Sequence, residues 1–341
     1  MVTVEILEKE LKTGKLNSIY LLYGEEIFLL ESCLKKIKNN FGVRQSGIND
    51  IKIDETNVGG IISDIETPAF GFEKKLIVAR NTGLFKKEGK RKVSGSNSEL
   101  AQRLSEYIKD NIETINEAVV LVFVEEEAEK NDLYKAIDSN GVVCEFQELK
   151  PIQIIARMKA ICNAYKVQVE DSTLQYFIEC CGTNMQELIN EIRKLIEYEG
   201  ENGKITKKDV DLLCIKKLDS IIFDLTDNLG KRKVDKALEV LNGLLYQKEP
   251  IQKILITLYH HFKKLYTIKI AQKENINVAQ SLNLKPNQTF LVSKYTMQAN
   301  YFKEQELRKI VEELIDLDYD YKTGLIDLNV GLEAILCRYC S

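Results

Sequence analysis

The chain has 341 residues, of which 44% are hydrophobic and 29% are charged, and its formal net charge is -4. At about 150 residues per domain, this length accommodates two to three domains that each bury a core. The low content of proline and glycine excludes a disordered or fibrous chain. The slightly acidic balance excludes a globally basic nucleic-acid coat, although it is compatible with a local basic patch.

The amino-terminal residues and the cysteines predict a cytoplasmic protein. Charged residues interrupt every apolar stretch near the start, unlike a secretory signal, and the longest apolar run, 118–124, is far shorter than the ~20 residues that span a bilayer. The 8 Cys lie mostly within apolar patterns, as reduced buried thiols do. Cys337 and Cys340 have Cys-x-x-Cys spacing, but a zinc site needs four ligands and the sequence offers no second pair. We therefore expect no membrane segment and no metal.

Residues 1–149 are predicted to form an α/β domain. Short apolar runs alternate with helical patterns, and the runs are apolar on both faces, as in a parallel sheet covered by helices on both sides. The predicted strands are 19–23, 51–53, 76–80, 119–124 and 142–146. The predicted helices lie near 26–39, 58–66, 98–112 and 131–138. A Gly/Ser/Lys-rich segment from Thr82 to Ser98 interrupts the pattern and is expected to be a mobile surface insertion.

The rest of the chain is predicted to be helical. Residues 150–212 predict a small lid domain of three helices, and apolar stripes over 213–341 predict a larger all-helical domain. The boundary signals in the lid are a helix-ending glycine and two capping boxes, at Gly182, Thr183-x-x-Gln186 and Thr206-x-x-Asp209. The sequence therefore predicts three domains.

The first strand-to-helix turn is the place where such an α/β domain would hold a nucleotide. A P-loop there needs the pattern Gly-x-x-x-x-Gly-Lys-Ser/Thr, whose amides, lysine and hydroxyl bind phosphate and Mg²⁺. The turn is Tyr23-Gly24-Glu25-Glu26, which has one glycine, no lysine and no hydroxyl. Its two carboxylates favour the helix start but repel an anionic ligand. We expect no nucleotide cofactor.

The sequence contains two further groups of candidate catalytic residues. Glu125, Glu126 and Glu127 follow a predicted strand, where nucleotidases position Mg²⁺ and water, but without a phosphate cradle they are predicted to lead into a solvated turn. His260 and His261 lie in the middle of a helical pattern and are predicted to sit beside its apolar face. We therefore expect no catalytic residues.

Six segments resemble, in order, the delta subunit of bacterial DNA polymerase III, a clamp-loader subunit. The first two read IYLLYGEEIFLLE and TPAFGFEKKLIVARN, and the six segments are 19–31, 67–81, 190–195, 205–210, 220–225 and 318–327. Each motif is weak alone, but the ordered set extends through nearly the whole chain. The resemblance implies an AAA+ fold that does not bind ATP, in agreement with the missing P-loop.

The resemblance also implies a binding site for the sliding clamp, beta. In this family a short hydrophobic element enters a pocket on the clamp and holds one interface of the ring open. The corresponding segment here is Pro68, Ala69, Phe70, Gly71 and Phe72, with the family's Leu-Phe-type pair at Ala69 and Phe70. Since Ala69 is smaller than the usual residue, Phe70 and Phe72 would have to supply more of the contact. Pro68 and Gly71 favour a connector that aims an aromatic side chain, but the two phenylalanines could instead close the domain core.

Further partners are implied in the same way. The last domain would pack with delta-prime and gamma/tau type subunits in a collar, and the hetero-oligomer would surround primed DNA. The chain itself would have no intrinsic activity. Two alternatives stay open: a replication ATPase with an unconventional nucleotide site, and a DNA-binding accessory protein. The second would contact the DNA backbone through a basic loop formed by Lys86, Lys87, Lys90, Arg91 and Lys92.

Overall fold

The computed structural model describes residues 1–86, 95–284 and 288–340. The chain divides into two compact units, Met1–Glu148 and Leu149–Ser341. A further division of the second unit at residue 212 stays a prediction.

The first unit contains a parallel sheet. In the described part of the chain it has five strands in the order β2-β3-β4-β1-β5, and every pair of neighbours is parallel. The strands are β1 (Ile19–Tyr23), β2 (Asp50–Ile53), β3 (Lys75–Arg80), β4 (Val119–Glu125) and β5 (Val142–Glu145). Every residue of β1 and β4 is buried, which explains why these strands are apolar along their length except for Glu125 at the end of β4. The predicted parallel α/β class is confirmed.

Helices connect these strands. They are α1 (Val4–Lys12), α2 (Ile27–Phe41), a 3-10 turn (Val58–Gly60), α3 (Ile61–Glu66), α4 (Gly95–Asp110), α5 (Ile112–Ala118) and α6 (Asp132–Asn140). The sequence did not predict α1 or α5. Charged residues separate the apolar residues of α1, but Leu7 and Leu11, four apart, are both buried on one face, and Thr3 caps the helix by accepting the N–H of Ile6.

The second unit is mainly helical. Its described helices are α7 (Pro151–Ala164), α8 (Asp171–Cys181), α9 (Met185–Glu199), α10 (Lys207–Leu213), α11 (Leu218–Gly230), α12 (Val234–Tyr246), α13 (Ile251–Lys273), α14 (Val278–Ser281), α15 (Leu291–Ala299), α16 (Glu304–Lys322) and α17 (Leu328–Cys340). Two short parallel strands, β6 (Gln168–Val169) and β7 (Lys204–Ile205), also belong to it. Along all the described residues, no helix combines the length and the apolar character that crossing a membrane requires.

Residues 150–212, all of which are described, hold four helices instead of the predicted three, and they include the β6–β7 pair that the sequence did not predict. The predicted capping box at Thr183 is wrong, because Asn184 caps α9 by accepting the N–H of Glu187 (3.0 Å). Two signals are confirmed. Gly182 ends α8 with φ of 85°, and Thr206 and Asp209 form the capping box of α10.

The predicted apolar stripes of 213–341 meet in one core. Buried residues of α12, α13 and α16 belong to a single cluster, together with residues of α11 and α17. Helices with stripes of about three apolar residues in seven bury them against one another, and such packing is the main source of helix stability in proteins. Ile315 is the exception, because it is exposed although it continues the stripe of α16.

Candidate functional site

The first strand-to-helix turn is closed by hydrogen bonds within the protein. The N–H of Gly24 donates to the carbonyl of Glu125 (3.3 Å) and the N–H of Glu26 donates to the carbonyl of Phe146 (2.9 Å). The N–H of Ile27, at the start of α2, donates to the carbonyl of Glu25 (3.0 Å). A phosphate cradle depends on amides that point at the ligand, and these three point at carbonyl groups.

Gly24 makes this closure possible. Its φ is 129°, and a Cβ atom there would lie 2.4 Å from the carbonyl oxygen of Phe146. The glycine therefore brings the turn against the segment that follows β5, where a P-loop would instead curve around a ligand. The absence of the P-loop motif and the geometry of the turn agree.

The carboxyl-terminal edge of the sheet, where open α/β sheets commonly bind ligands, is acidic. A cleft of about 370 Å³ lies there, and its charged lining residues are Asp54, Glu55, Arg80, Lys86, Glu125, Glu126 and Glu127. Arg80 is already paired with both carboxylate oxygens of Glu31, at 2.7 and 2.9 Å. The net negative lining disfavours a triphosphate.

Glu125 is buried, whereas the sequence predicted that it would lie in a solvated turn. It ends β4 and is only 4% exposed, and its Oε1 accepts both the N–H (2.9 Å) and the hydroxyl (2.6 Å) of Thr82. Burial raises the pKa of this carboxyl, and the hydrogen bonds from Thr82 oppose that shift. Glu126 and Glu127 are exposed, as predicted. Glu125 therefore joins the end of β4 to Thr82, in the segment that follows β3, and is a structural group.

The Phe70 turn, residues 67–72, lies at the opposite edge of the sheet, between α3 and β3. The N–H of Phe72 donates to the carbonyl of Ala69 (2.7 Å), and Gly71 has φ of 82°, as the third residue of a type II turn does. This places Phe70 at the tip with 73% of its surface exposed. Pro68 and Gly71 are also exposed, and Ala69 and Phe72 are half-buried. Phe70 is therefore not part of the domain core.

Only the start of the basic loop is described. Lys86 is exposed, while Lys87, Lys90, Arg91 and Lys92 lie outside the described residues. The predicted surface insertion from Thr82 is wrong at its beginning, because Leu84 and Phe85 are buried. The ring of Phe85 packs edge-to-face on Phe123 with centroids 5.3 Å apart, so this part of the segment belongs to the core.

His260 and His261 have different environments. His260 is exposed, whereas His261 is buried and hydrogen-bonded to Gln298 (Nε2 to Oε1, 2.9 Å), which in turn donates to the carbonyl of Phe223 (2.8 Å). Burial lowers the pKa of His261 to about 3. It is therefore neutral at physiological pH and acts as a packed polar residue in the helical core.

One group in the described residues brings three potential metal ligands together. The ligand atoms of Cys181, Glu191 and Cys214 lie within 4.8 Å of one another, and the sequence did not predict this because each comes from a different helix or helix end. Glu191 already accepts the N–H of Ile215 (2.9 Å) and pairs with Lys194 (2.7 Å). The neighbouring Cys214 thiol and burial raise the pKa of Cys181. Since metals bind thiolates, the raised pKa of Cys181 favours describing these residues as packed side chains.

Comparisons with known proteins point to one family. The family model of the DNA polymerase III delta subunit matches residues 20–147, and the model of its carboxyl-terminal domain matches residues 219–339. DNA polymerase III subunit delta of Bacillus subtilis is 26% identical over 336 residues, which is 97% of this chain and 95% of that protein. The probable DNA polymerase III subunit delta of Aquifex aeolicus is 27% identical and covers 88% of this chain and 85% of its own length.

A solved structure extends the similarity to the fold. The Bacillus subtilis DNA clamp loader delta protein superimposes with a TM-score of 0.72, at 25% identity, over 99% of both chains. Fold, sequence and family models together define a replication protein, an accessory subunit of a bacterial DNA polymerase. The chain belongs to the delta-subunit family of DNA polymerase III.

Proposed function

We propose that the chain is a clamp-loader subunit without catalytic activity of its own, which binds the beta sliding clamp through the Phe70 turn and helps to open the ring for loading onto primed DNA. The observation that carries the proposal is the exposure of Phe70 at the tip of a turn whose backbone conformation is fixed. The names of the similar proteins, which include a DNA clamp loader delta protein, support the same role.

The physical basis of clamp binding is the burial of this ring. Moving a phenylalanine from water into an apolar pocket contributes about 1.5–3 kcal/mol, and aromatic anchors at the centre of an interface can carry 2 kcal/mol or more. The turn presents the ring in one direction before binding, so that little conformational entropy is lost on association. Phe72 is half-buried and would contribute less than Phe70.

The other edge of the sheet supports a role without ATP hydrolysis. Its first turn is closed and its cleft is acidic, which argues against the alternative of a replication ATPase. In the proposed cytoplasmic hetero-oligomer, nucleotide would be bound by the gamma/tau type subunits, and the helices of residues 213–341 would form the contacts with these subunits and with delta-prime. Affinity for the clamp would then supply the work of ring opening.

The proposal is tested by titrating immobilised sliding clamp with the purified chain and its Phe70→Ala variant. We expect the variant to keep its melting temperature and to bind at least about tenfold more weakly, because a 1.4 kcal/mol loss is a factor of ten. Ile27→Ala is the matched control, since Ile27 is an apolar residue with 52% exposure at the first turn. Equal affinity of all three proteins would remove the Phe70 turn as the clamp-binding site.

A further inference from the structure

Lys75, the first residue of β3, has an unusual environment for a lysine. It is only 3% exposed, and its ammonium group donates to the carbonyl oxygen of Asp64 (2.6 Å) and to the carbonyl oxygen of Thr67. These carbonyls belong to the last turn of α3 and to the residue that ends it. Burial lowers the pKa of Lys75, and the nearby Asp64 carboxylate opposes that shift. Burial of an ammonium group is costly unless its donors are satisfied, so the position of Lys75 depends on these carbonyls.

The carbonyl group of Asp64 needs a donor from outside the helix because Pro68 follows α3 in the chain. The last carbonyls of a helix have no partner within the helix unless the next residues supply an N–H. The N–H of Thr67 donates to Ser63 (3.0 Å), but Pro68, the residue that would serve Asp64, has no N–H. Lys75 occupies the place of that missing donor.

The same side chain closes the base of the Phe70 turn. The segment from Pro68 to Lys74 leaves α3 at Thr67 and returns at Lys75, and the ammonium group of Lys75 joins the two ends. Within the segment, the hydrogen bond between Phe72 and Ala69 fixes the tip. A loop whose ends are joined has fewer conformations, so the direction of Phe70 depends on this closure.

We infer that Lys75 is a positioning residue that holds the Phe70 turn in its clamp-binding conformation without touching the clamp itself. This inference rests on the proposed function of Phe70. No sequence pattern predicts this role, because a lysine is usually exposed.

The test compares Lys75→Met with Lys74→Met. Lys74 is the matched control, because its ammonium group also donates to a backbone carbonyl, that of Asn116 (2.7 Å), but not to the Phe70 turn. For Lys75→Met we expect clamp affinity to fall about fivefold and amide hydrogen exchange at residues 69–72 to accelerate about tenfold, since hydrogen bonds from a charged donor are lost. For Lys74→Met we expect less than about a twofold change in affinity.

A double variant separates positioning from general destabilisation. In a Phe70→Ala background, Lys75→Met should weaken clamp binding no further, because the side chain that Lys75 positions is gone. Equal affinity and exchange in the two lysine variants would overturn the inference, as would an undiminished loss in the Phe70→Ala background. If Phe70→Ala itself leaves clamp binding unchanged, the proposed function fails, while the exchange rates still decide whether Lys75 orders the turn. Should Lys75→Met not fold, Lys75→Gln, which replaces the ammonium group with a neutral amide on a shorter side chain, takes its place in the same comparison.

Discussion

The two edges of the parallel sheet have opposite properties. At the carboxyl-terminal edge, the amides of the first turn donate to backbone carbonyls of the protein, and the turn lies beside an acidic cleft. At the amino-terminal edge, the Phe70 turn leaves a large apolar ring in solvent and is tied at its base by Lys75. In one domain, the edge where a sheet of this kind usually binds small ligands has a closed first turn and an acidic cleft, and the opposite edge presents a group suited to a protein partner.

Under the proposed function, the two edges illustrate how a binding site can differ in place without a change of fold. A closed turn needs only Gly24 and its hydrogen bonds, whereas a phosphate loop needs several glycines, a lysine and a hydroxyl. The Phe70 turn needs a proline that ends α3, a glycine with positive φ and a buried lysine. Both sets consist of a few residues in loops or at the ends of strands, and the sheet between them stays the same.

The largest expected effect is a loss of stability on substitution of Gly24, in the closed first turn at the carboxyl-terminal edge. Gly24→Ala should lower the free energy of unfolding by about 3 kcal/mol or more, because the new Cβ would lie 2.4 Å from the Phe146 carbonyl oxygen and the backbone has φ of 129°. Urea unfolding of the purified variant measures this. A loss below about 1 kcal/mol would mean that the turn is free to rearrange, as a ligand loop is.

A smaller loss of stability is expected for a substitution in the Phe70 turn, at the amino-terminal edge of the sheet. Gly71 also has positive φ, but its Cβ position faces open space, so Gly71→Ala should cost about 1 kcal/mol of stability through backbone strain alone. Because the strain acts on the turn that directs Phe70, clamp affinity should fall several-fold in the same variant, as measured by surface titration. Unchanged affinity together with the stability loss would show that the direction of Phe70 is unimportant.

The smallest expected effect is a pH-dependent change in stability on substitution of Glu125. Its pKa is raised by burial, so the folded state holds this proton more tightly than the unfolded state, and the stability that the protonated carboxyl provides is lost as pH rises through the folded pKa. Glu125→Gln keeps an acceptor for Thr82 and removes the charge. At pH 7 the variant should therefore be as stable as the parent protein or more stable by up to about 1 kcal/mol, and the difference should shrink toward pH 4. Urea titrations at the two pH values test this, and a large loss of stability at pH 7 would show that the charged carboxylate is required, which would contradict a carboxyl whose ionisation is disfavoured by burial.

The elements that the sequence predicted well are those in which the order of apolar residues indicates which residues are buried. The five strands lie within one residue of their predicted bounds, because runs such as Val119–Val124 are apolar on both faces. Helices α1, α5 and α7 were missed, since few of their residues are buried and charged or polar residues separate the buried ones. The Phe70 turn was located by resemblance and by its proline and glycine, but the residues alone did not distinguish an exposed ring from a buried one. The environments of Lys75 and of the cluster formed by Cys181, Glu191 and Cys214 depend on contacts between separate elements of the chain. A local sequence pattern does not predict such contacts.

The contrast between the two edges is tested most directly by calorimetric titration of the unaltered chain, first with ATP and Mg²⁺ and then with the sliding clamp in the presence and absence of ATP. Because Phe70 is exposed in the chain alone, we expect saturable binding of the clamp, with the same affinity in both conditions, and no saturable binding of ATP. Saturable ATP binding, or clamp binding that appears only when ATP is present, would contradict the assignment of the two edges.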